Sequence, residues 1–203
     1  MSAPPRPPRR ILLIDDQENI HADFRKILCP PEAPASLGHA KARLFGGPAA
    51  SAPQPARPVF EIETALQGQE GVRAAVRALE ARQPFHVAFV DMRMPPGWDG
   101  VETIEHLWKA DPALQVVICT AFSDYTWTEM VARLGRTDRL LILKKPFDPI
   151  EVCQLASALT EKWNLAREAS SRAGELQRMV DQQTGELQQL YHTLEHSSEE
   201  KLS

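Results

Sequence analysis

Val87-Ala88-Phe89-Val90-Asp91 is four apolar residues ending on a carboxylate. A short apolar run of this kind reads as a strand buried on both faces, as in a parallel sheet covered by helices. Ile11-Leu12-Leu13-Ile14 has the same character and ends on two carboxylates, Asp15 and Asp16. In open α/β sheets, ligand sites lie just beyond the carboxyl ends of the strands. The two runs therefore bring three acids together at one sheet edge. Three unpaired carboxylates repel one another, so a divalent cation is the expected remedy.

Outward from these two runs, strand and helix patterns alternate. Gln17 to Leu28 carries Ile20, Phe24, Ile27 and Leu28 on one helical face and stops at Cys29-Pro30-Pro31. Val59 to Ala65 reads as a strand. Gly68 to Ala81 reads as a helix with Val72, Ala75, Val76 and Leu79 inward. Phe85 to Val90 is the third strand, and Gly100 to Ala110 a helix burying Val101, Ile104 and Leu107/Trp108. Leu114 to Cys119 is a strand ending at Thr120, Trp127 to Leu134 a short helix, and Leu140 to Leu143 a strand ending at Lys144-Lys145-Pro146. Such alternation implies right-handed parallel βαβ units and a five-stranded doubly wound α/β sheet. Residues 30–58, rich in Pro, Ala and Gly and without periodicity, read as a long surface insertion, and residues 1–8 as a disordered N-terminus.

Asp148-Pro149 supplies an N-cap and a first-turn proline for a last helix. From there a heptad rhythm continues through Val152, Leu159, Ala166, Ala173, Val180, Leu187 and Leu194. A second series runs through Leu155, Lys162, Ala169, Leu176, Gln183 and Leu190. Lys162, Gln183 and the alanines weaken this seam, and Gly174 and Gly185 each lower helix propensity by about 1 kcal/mol. A continuous helix from Pro149 to Leu194 would be roughly 70 Å long. The expected partner is a second copy in a parallel homodimeric coil over residues 149–196. Docking of the helix on another chain or domain is the alternative.

Composition narrows the function classes. With 43% hydrophobic residues and a formal net charge of -4, the 203-residue chain suits one well-buried domain with an appendage. It does not suit broad nucleic-acid or membrane binding. Cys29, Cys119 and Cys153 lack metal spacing and read as free thiols in a reducing compartment. Neither a signal peptide nor a membrane span is apparent, and a cytoplasmic location is expected.

The strand ends together collect Asp15, Asp16, Asp91, Thr120 and Lys145. Carboxylates suit octahedral Mg²⁺, which keeps waters and bridges phosphate oxygens. A carboxylate can attack a phosphoryl group, while a hydroxyl and an ammonium bind its oxygens. Asp15-Asp16, Asp91-Met-Arg-Met-Pro-Pro-Gly-Trp-Asp-Gly100, Thr120-Ala121 and Lys145-Pro146-Phe147, in that order, resemble the receiver domain of two-component response regulators over residues 9–160.

The resemblance implies the flavodoxin-like (βα)5 fold with strand order 2-1-3-4-5, and phosphorylation of Asp91 by a histidine kinase. It further implies Mg²⁺ held by Asp15, Asp16, Asp91 and the backbone carbonyl of Arg93. Thr120 and Lys145 would follow and pair with the phosphoryl group, and Lys145-Pro146 is a candidate cis peptide. Two departures accompany it. Ile142 stands where the family's aromatic switch residue is usual, and the 30–58 insertion separates the first helix from the second strand.

The resemblance makes the chain a regulatory, phosphate-accepting module and not itself an enzyme. Residues 161–203 then form a coiled-coil signalling helix, similar to linkers that precede diguanylate cyclase, phosphodiesterase or histidine kinase modules. Any output module is expected beyond Ser203. A phosphate-independent coiled-coil scaffold is one alternative. An Asp-nucleophile hydrolase is another, but it would carry a second aspartate two residues past the nucleophile, where Arg93 stands.

Overall fold

Ile11–Ile14 and Val87–Val90 lie side by side as the two central strands of the sheet, in register from Ile11 with Val87 to Ile14 with Val90. The computed structural model describes residues 8–30, 59–121, 127–135 and 138–200. Chain order is β1 (Arg9–Ile14), α1 (Glu18–Leu28), β2 (Phe60–Ala65), α2 (Gly68–Glu80), β3 (Val87–Asp91), α3 (Gly100–Ala110), β4 (Gln115–Thr120), α4 (Trp127–Leu134), β5 (Leu140–Lys144) and α5 (Pro149–Glu200). The five strands are all parallel, in the order β2-β1-β3-β4-β5. This is the flavodoxin-like arrangement expected from the motifs. The insertion at 30–58 and the N-terminal segment 1–8 lie outside the described residues, apart from Pro8 and Pro30.

Alternation along the strands sends side chains to two apolar layers. Leu12, Ile14, Ala88, Val90, Val116 and Ile118 face a core completed by α2, α3 and α4. Ile11, Leu13, Val87, Phe89, Val117, Cys119 and Leu143 face a second core that contains Phe24 and Leu28 of α1 and Val152, Ala156 and Leu159 of α5. In that layer Phe24 meets Phe89 and Phe147 edge-on, with ring centroids 5.0 and 5.2 Å apart. Each such pair adds about 1 kcal/mol beyond its area.

Two helical faces differ from their periodicity. In α2 the buried residues are Gly68, Gly71, Ala74, Ala75 and Ala78, while Val76 is exposed. The small side has won because the helix sits hard on β1. A Cβ on Gly71 would come within 2.2 Å of Ile14 Cδ1. In α5 the first heptads face inward: Val152, Ala156, Leu159 and Trp163 are buried. The seam positions Val152 and Leu159 therefore belong to the domain's own core, which shortens the stretch free to pair with a second copy.

The contacts divide the chain into two units, Met1–Trp163 and Asn164–Ser203. Within the second, α5 stays helical through Gly174 and Gly185 and exposes Leu165, Leu176, Met179, Val180 and Leu187. Among the described residues, no helix is long and apolar enough to cross a membrane.

Candidate phosphoryl and metal site

Parallel register sets the site. One step beyond the Ile14–Val90 pair come Asp15 and Asp91, Asp91 pairs with Cys119, and Thr120 pairs with Lys144. The backbone stays laddered past the strand ends: Asp15 N–H donates to Ala65 O at 3.1 Å, Met92 N–H to Cys119 O at 2.9 Å, and Lys145 N–H to Thr120 O at 2.9 Å. The residues singled out in the sequence thus leave the sheet along one edge.

Asp15, Asp16 and Asp91 each offer a carboxylate oxygen, all within 4.8 Å of one another. Lys145 Nζ bridges two of them, 2.8 Å from Asp15 Oδ2 and 2.7 Å from Asp91 Oδ1. The second oxygens are held by backbone: Gln17 N–H donates to Asp15 Oδ1 at 2.9 Å and Arg93 N–H to Asp91 Oδ2 at 3.3 Å. Asp16 differs. Its Oδ1 is buried with no hydrogen-bond partner among the described residues. A buried, unsatisfied carboxylate oxygen beside two further carboxylates is a poor arrangement for a protein alone and a fitting one for a hard divalent cation.

Electrostatics follow from burial and these contacts. Burial pushes the Asp91 carboxyl above the usual carboxylate range; Lys145 opposes this and the charge of Asp15 adds to it. Burial works against the Lys145 ammonium, but its bonds to Asp15 and Asp91 outweigh it and raise its pKa. Cys119, directly behind Asp91 in the ladder, is fully enclosed, and burial pushes its thiol far up. It reads as packing and not as a nucleophile.

The remaining expected residues are placed as follows. Thr120 is buried at the end of β4, its Oγ1 donating to Ala121 O at 2.9 Å. Arg93 is exposed at the start of the loop after β3. The Lys145–Pro146 peptide is cis, and so is Pro95–Pro96, which sequence reasoning did not single out. Ile142 is half-buried and packs on the core layer of α2, α3 and α4. Lys144 is exposed.

Asp99 caps α3, accepting from Glu102 N–H at 2.7 Å. Gly100 was also missed as a site-shaping residue. A Cβ there would lie 2.6 Å from Asp91 O and 2.9 Å from Met92 Cα, so α3 begins pressed against the backbone of Asp91. A glycine opening a helix right after the acid-bearing loop was the available signal.

Residues 57–157 match the response regulator receiver domain family. The match begins just before β2, so the strand bearing Asp15 and Asp16, set off by the insertion, is joined to it by the sheet topology. No curated protein matches the chain. Among solved structures, an adenylate cyclase from Rhodopirellula baltica is similar at 20% identity and a TM-score of 0.57, over 82% of this chain and 97% of that one. The signal receiver domain of an HD domain-containing protein from Pseudomonas fluorescens matches at 18% identity and a TM-score of 0.55, over 83% and 97%. A CheY-like response regulator receiver domain protein from Methanospirillum hungatei matches at 19% and 0.52, over 79% and 99%. Identities this low speak for the fold, and the family match carries the assignment. The chain carries a receiver domain of the response regulator family.

Proposed function

We propose that this chain accepts a phosphoryl group on Asp91 from the phosphohistidine of a histidine kinase and passes the resulting change to an output through α5. The observation that carries this reading is the meeting of three carboxylates with Lys145, one carboxylate oxygen of Asp16 being left without a partner. In the step itself an Asp91 carboxylate oxygen attacks phosphorus, the phosphorus–nitrogen bond breaks, and the released imidazole takes up a proton. An acyl phosphate forms with no net oxidation.

Asp15, Asp16, Asp91 and the Arg93 carbonyl would hold Mg²⁺, which when bound supplies positive charge to the phosphoryl oxygens. Lys145 is already within salt-bridge distance of Asp91 and would pair with a phosphoryl oxygen there. Thr120, now turned to a backbone carbonyl, is the hydroxyl at hand for another. With Ile142 in place of an aromatic ring, the usual coupled motion of hydroxyl and ring is unavailable, and the signal needs another path. The domain acts as a regulatory module in the cytoplasm and pairs with a second copy in parallel through the exposed part of α5. In that pairing Leu176, Val180 and Leu187 supply large apolar seam residues.

The test is incubation with acetyl phosphate and Mg²⁺ followed by intact-mass measurement. The wild-type chain should gain one phosphoryl group and Asp91→Asn none. Failure of the wild type to gain it from acetyl phosphate or any phosphorylated kinase would leave the scaffold reading in its place.

A further inference from the structure

The two strands that end in the acidic residues begin at the contacts that hold the last domain turn of α5. β1 starts at Arg9. Its Nη2 lies 2.7 Å from Glu161 Oε2, and its Nη1 donates to Thr160 Oγ1 at 3.1 Å and to Ser157 O at 3.3 Å. β3 is preceded by His86, whose ring lies 4.2 Å from that of Trp163, centroid to centroid. His86 is tied to β1 in both directions: its Nδ1 accepts from Arg10 N–H at 3.1 Å, and its own N–H donates to Arg10 O at 2.9 Å. One strand thus joins Asp15 to Arg9, and its neighbour joins Asp91 to His86.

Between these ends the strands are rigid material. Ile11 to Ile14 and Val87 to Val90 are fully buried and in register. A closely packed interior passes a shift onward because it cannot absorb it. Charge rearranges at one end of this pair of strands when Lys145 exchanges its carboxylate partners. The other end holds α5 by the Arg9 side chain, 17% exposed and shared among Ser157, Thr160 and the more exposed Glu161, and by the buried rings of His86 and Trp163. Lys162 with Asp138, 2.7 Å apart but well exposed, adds little.

We infer that Arg9 and His86 are positioning residues through which the state of the acidic site reaches α5, along β1 and β3 and independently of the residue at 142. The inference rests on the phosphoacceptor reading of Asp91. It gives the path that reading lacks.

Hydrogen exchange of the amides from Thr160 to Leu176 tests it, in the full chain with and without acetyl phosphate and Mg²⁺, with phosphoryl gain read by mass in the same samples. In the wild type, phosphorylation should change exchange there by about fivefold or more, the low end of allosteric coupling. Arg9→Ala and the milder Glu161→Gln should both gain the phosphoryl group at the wild-type rate, yet show less than about a twofold change. Arg9→Lys should restore part of the response. Lys26→Ala, which removes an exposed pair with Asp23, should leave it whole.

A phosphorylated wild type whose exchange is unaltered overturns the inference. So does a full response surviving in both Arg9→Ala and Glu161→Gln. A wild type that never gains the phosphoryl group overturns the phosphoacceptor reading and this inference together.

Discussion

Removing one carboxylate from the acidic cluster should stabilise the metal-free protein and destabilise the metal-loaded one, and Asp91→Asn is the substitution that shows it. Asp15 and Asp16 lie within 4.8 Å of Asp91, oxygen to oxygen. At an effective dielectric near 20, each pair repels by about 3.5 kcal/mol, about 7 in all. The Lys145 ammonium, 2.7 Å from Asp91, returns about 6 kcal/mol on the same scale. Repulsion and attraction nearly cancel, and the desolvation of Asp91 remains against the charged form. The asparagine, neutral and nearly isosteric, should therefore gain about 1 kcal/mol, or roughly 2–4 °C in melting temperature for a chain of this size.

Mg²⁺ reverses the order. At a hundredfold excess over its dissociation constant a bound ligand adds about 2.7 kcal/mol to the wild type, whereas the variant lacks one of the carboxylates. Thermal unfolding in EDTA and in Mg²⁺ reads both effects. The pH dependence fixes the cause. Because the folded-state pKa of Asp91 is raised, between the ordinary value and the raised one the folded protein holds a proton that the unfolded chain has released, while above both Asp91 is charged in either state. The penalty is thus complete above the raised value, fades as pH falls through it, and is absent below the ordinary carboxylate range near 4. The metal-free gap between variant and wild type should close over that window. An asparagine variant less stable than wild type in EDTA, or a gap that ignores pH, refutes the reasoning.

Other substitutions address the remaining parts. Lys145→Met leaves buried carboxylates without their cation and should cost about 3 kcal/mol in urea unfolding without metal, with Mg²⁺ restoring part of it. Gly100→Ala forces a methyl group against Asp91 O and Met92 Cα. It should cost about 1–3 kcal/mol and slow phosphoryl gain from acetyl phosphate, while Gly174→Ala, with open space around it, should do neither. By the proposed pairing the wild-type chain should sediment as a dimer and Leu176→Glu combined with Val180→Glu as a monomer, with little change in the thermal unfolding of the domain, since both side chains are exposed in the single chain.

What could be read from the residues was what short range dictates. Apolar runs four to six long, each capped by a chemically distinctive residue, specify strands and their carboxyl ends together. Asp15, Asp91, Thr120 and Lys145 were therefore placed by local pattern alone. Where long-range packing decides, pattern misled. Periodicity favoured Val72, Ala75, Val76 and Leu79 as the inner face of α2; Ala75 is buried and Val72 packs on the core, but close approach to Ile14 turned the face toward the glycines and alanines and left Val76 exposed. The heptad series through Val152 and Leu159 gave no sign that its first turns were occupied within the chain, because a core face and a coil seam share the same spacing. The contacts of Arg9 with Glu161 and of His86 with Trp163 join residues far apart in sequence, and nothing local announces them.

The bridge from Lys145 to Asp15 and Asp91 also has a consequence for the order in which the domain forms. The acids of the two central strands emerge from synthesis well before their ammonium, which follows the last strand. Until β5 docks on β4, the carboxylates at the tips of β1 and β3 push the sheet apart at one edge. Seating β5 therefore does more than add a strand: it delivers the counter-charge that closes the edge. The domain can complete itself on its own lysine before it meets any metal ion.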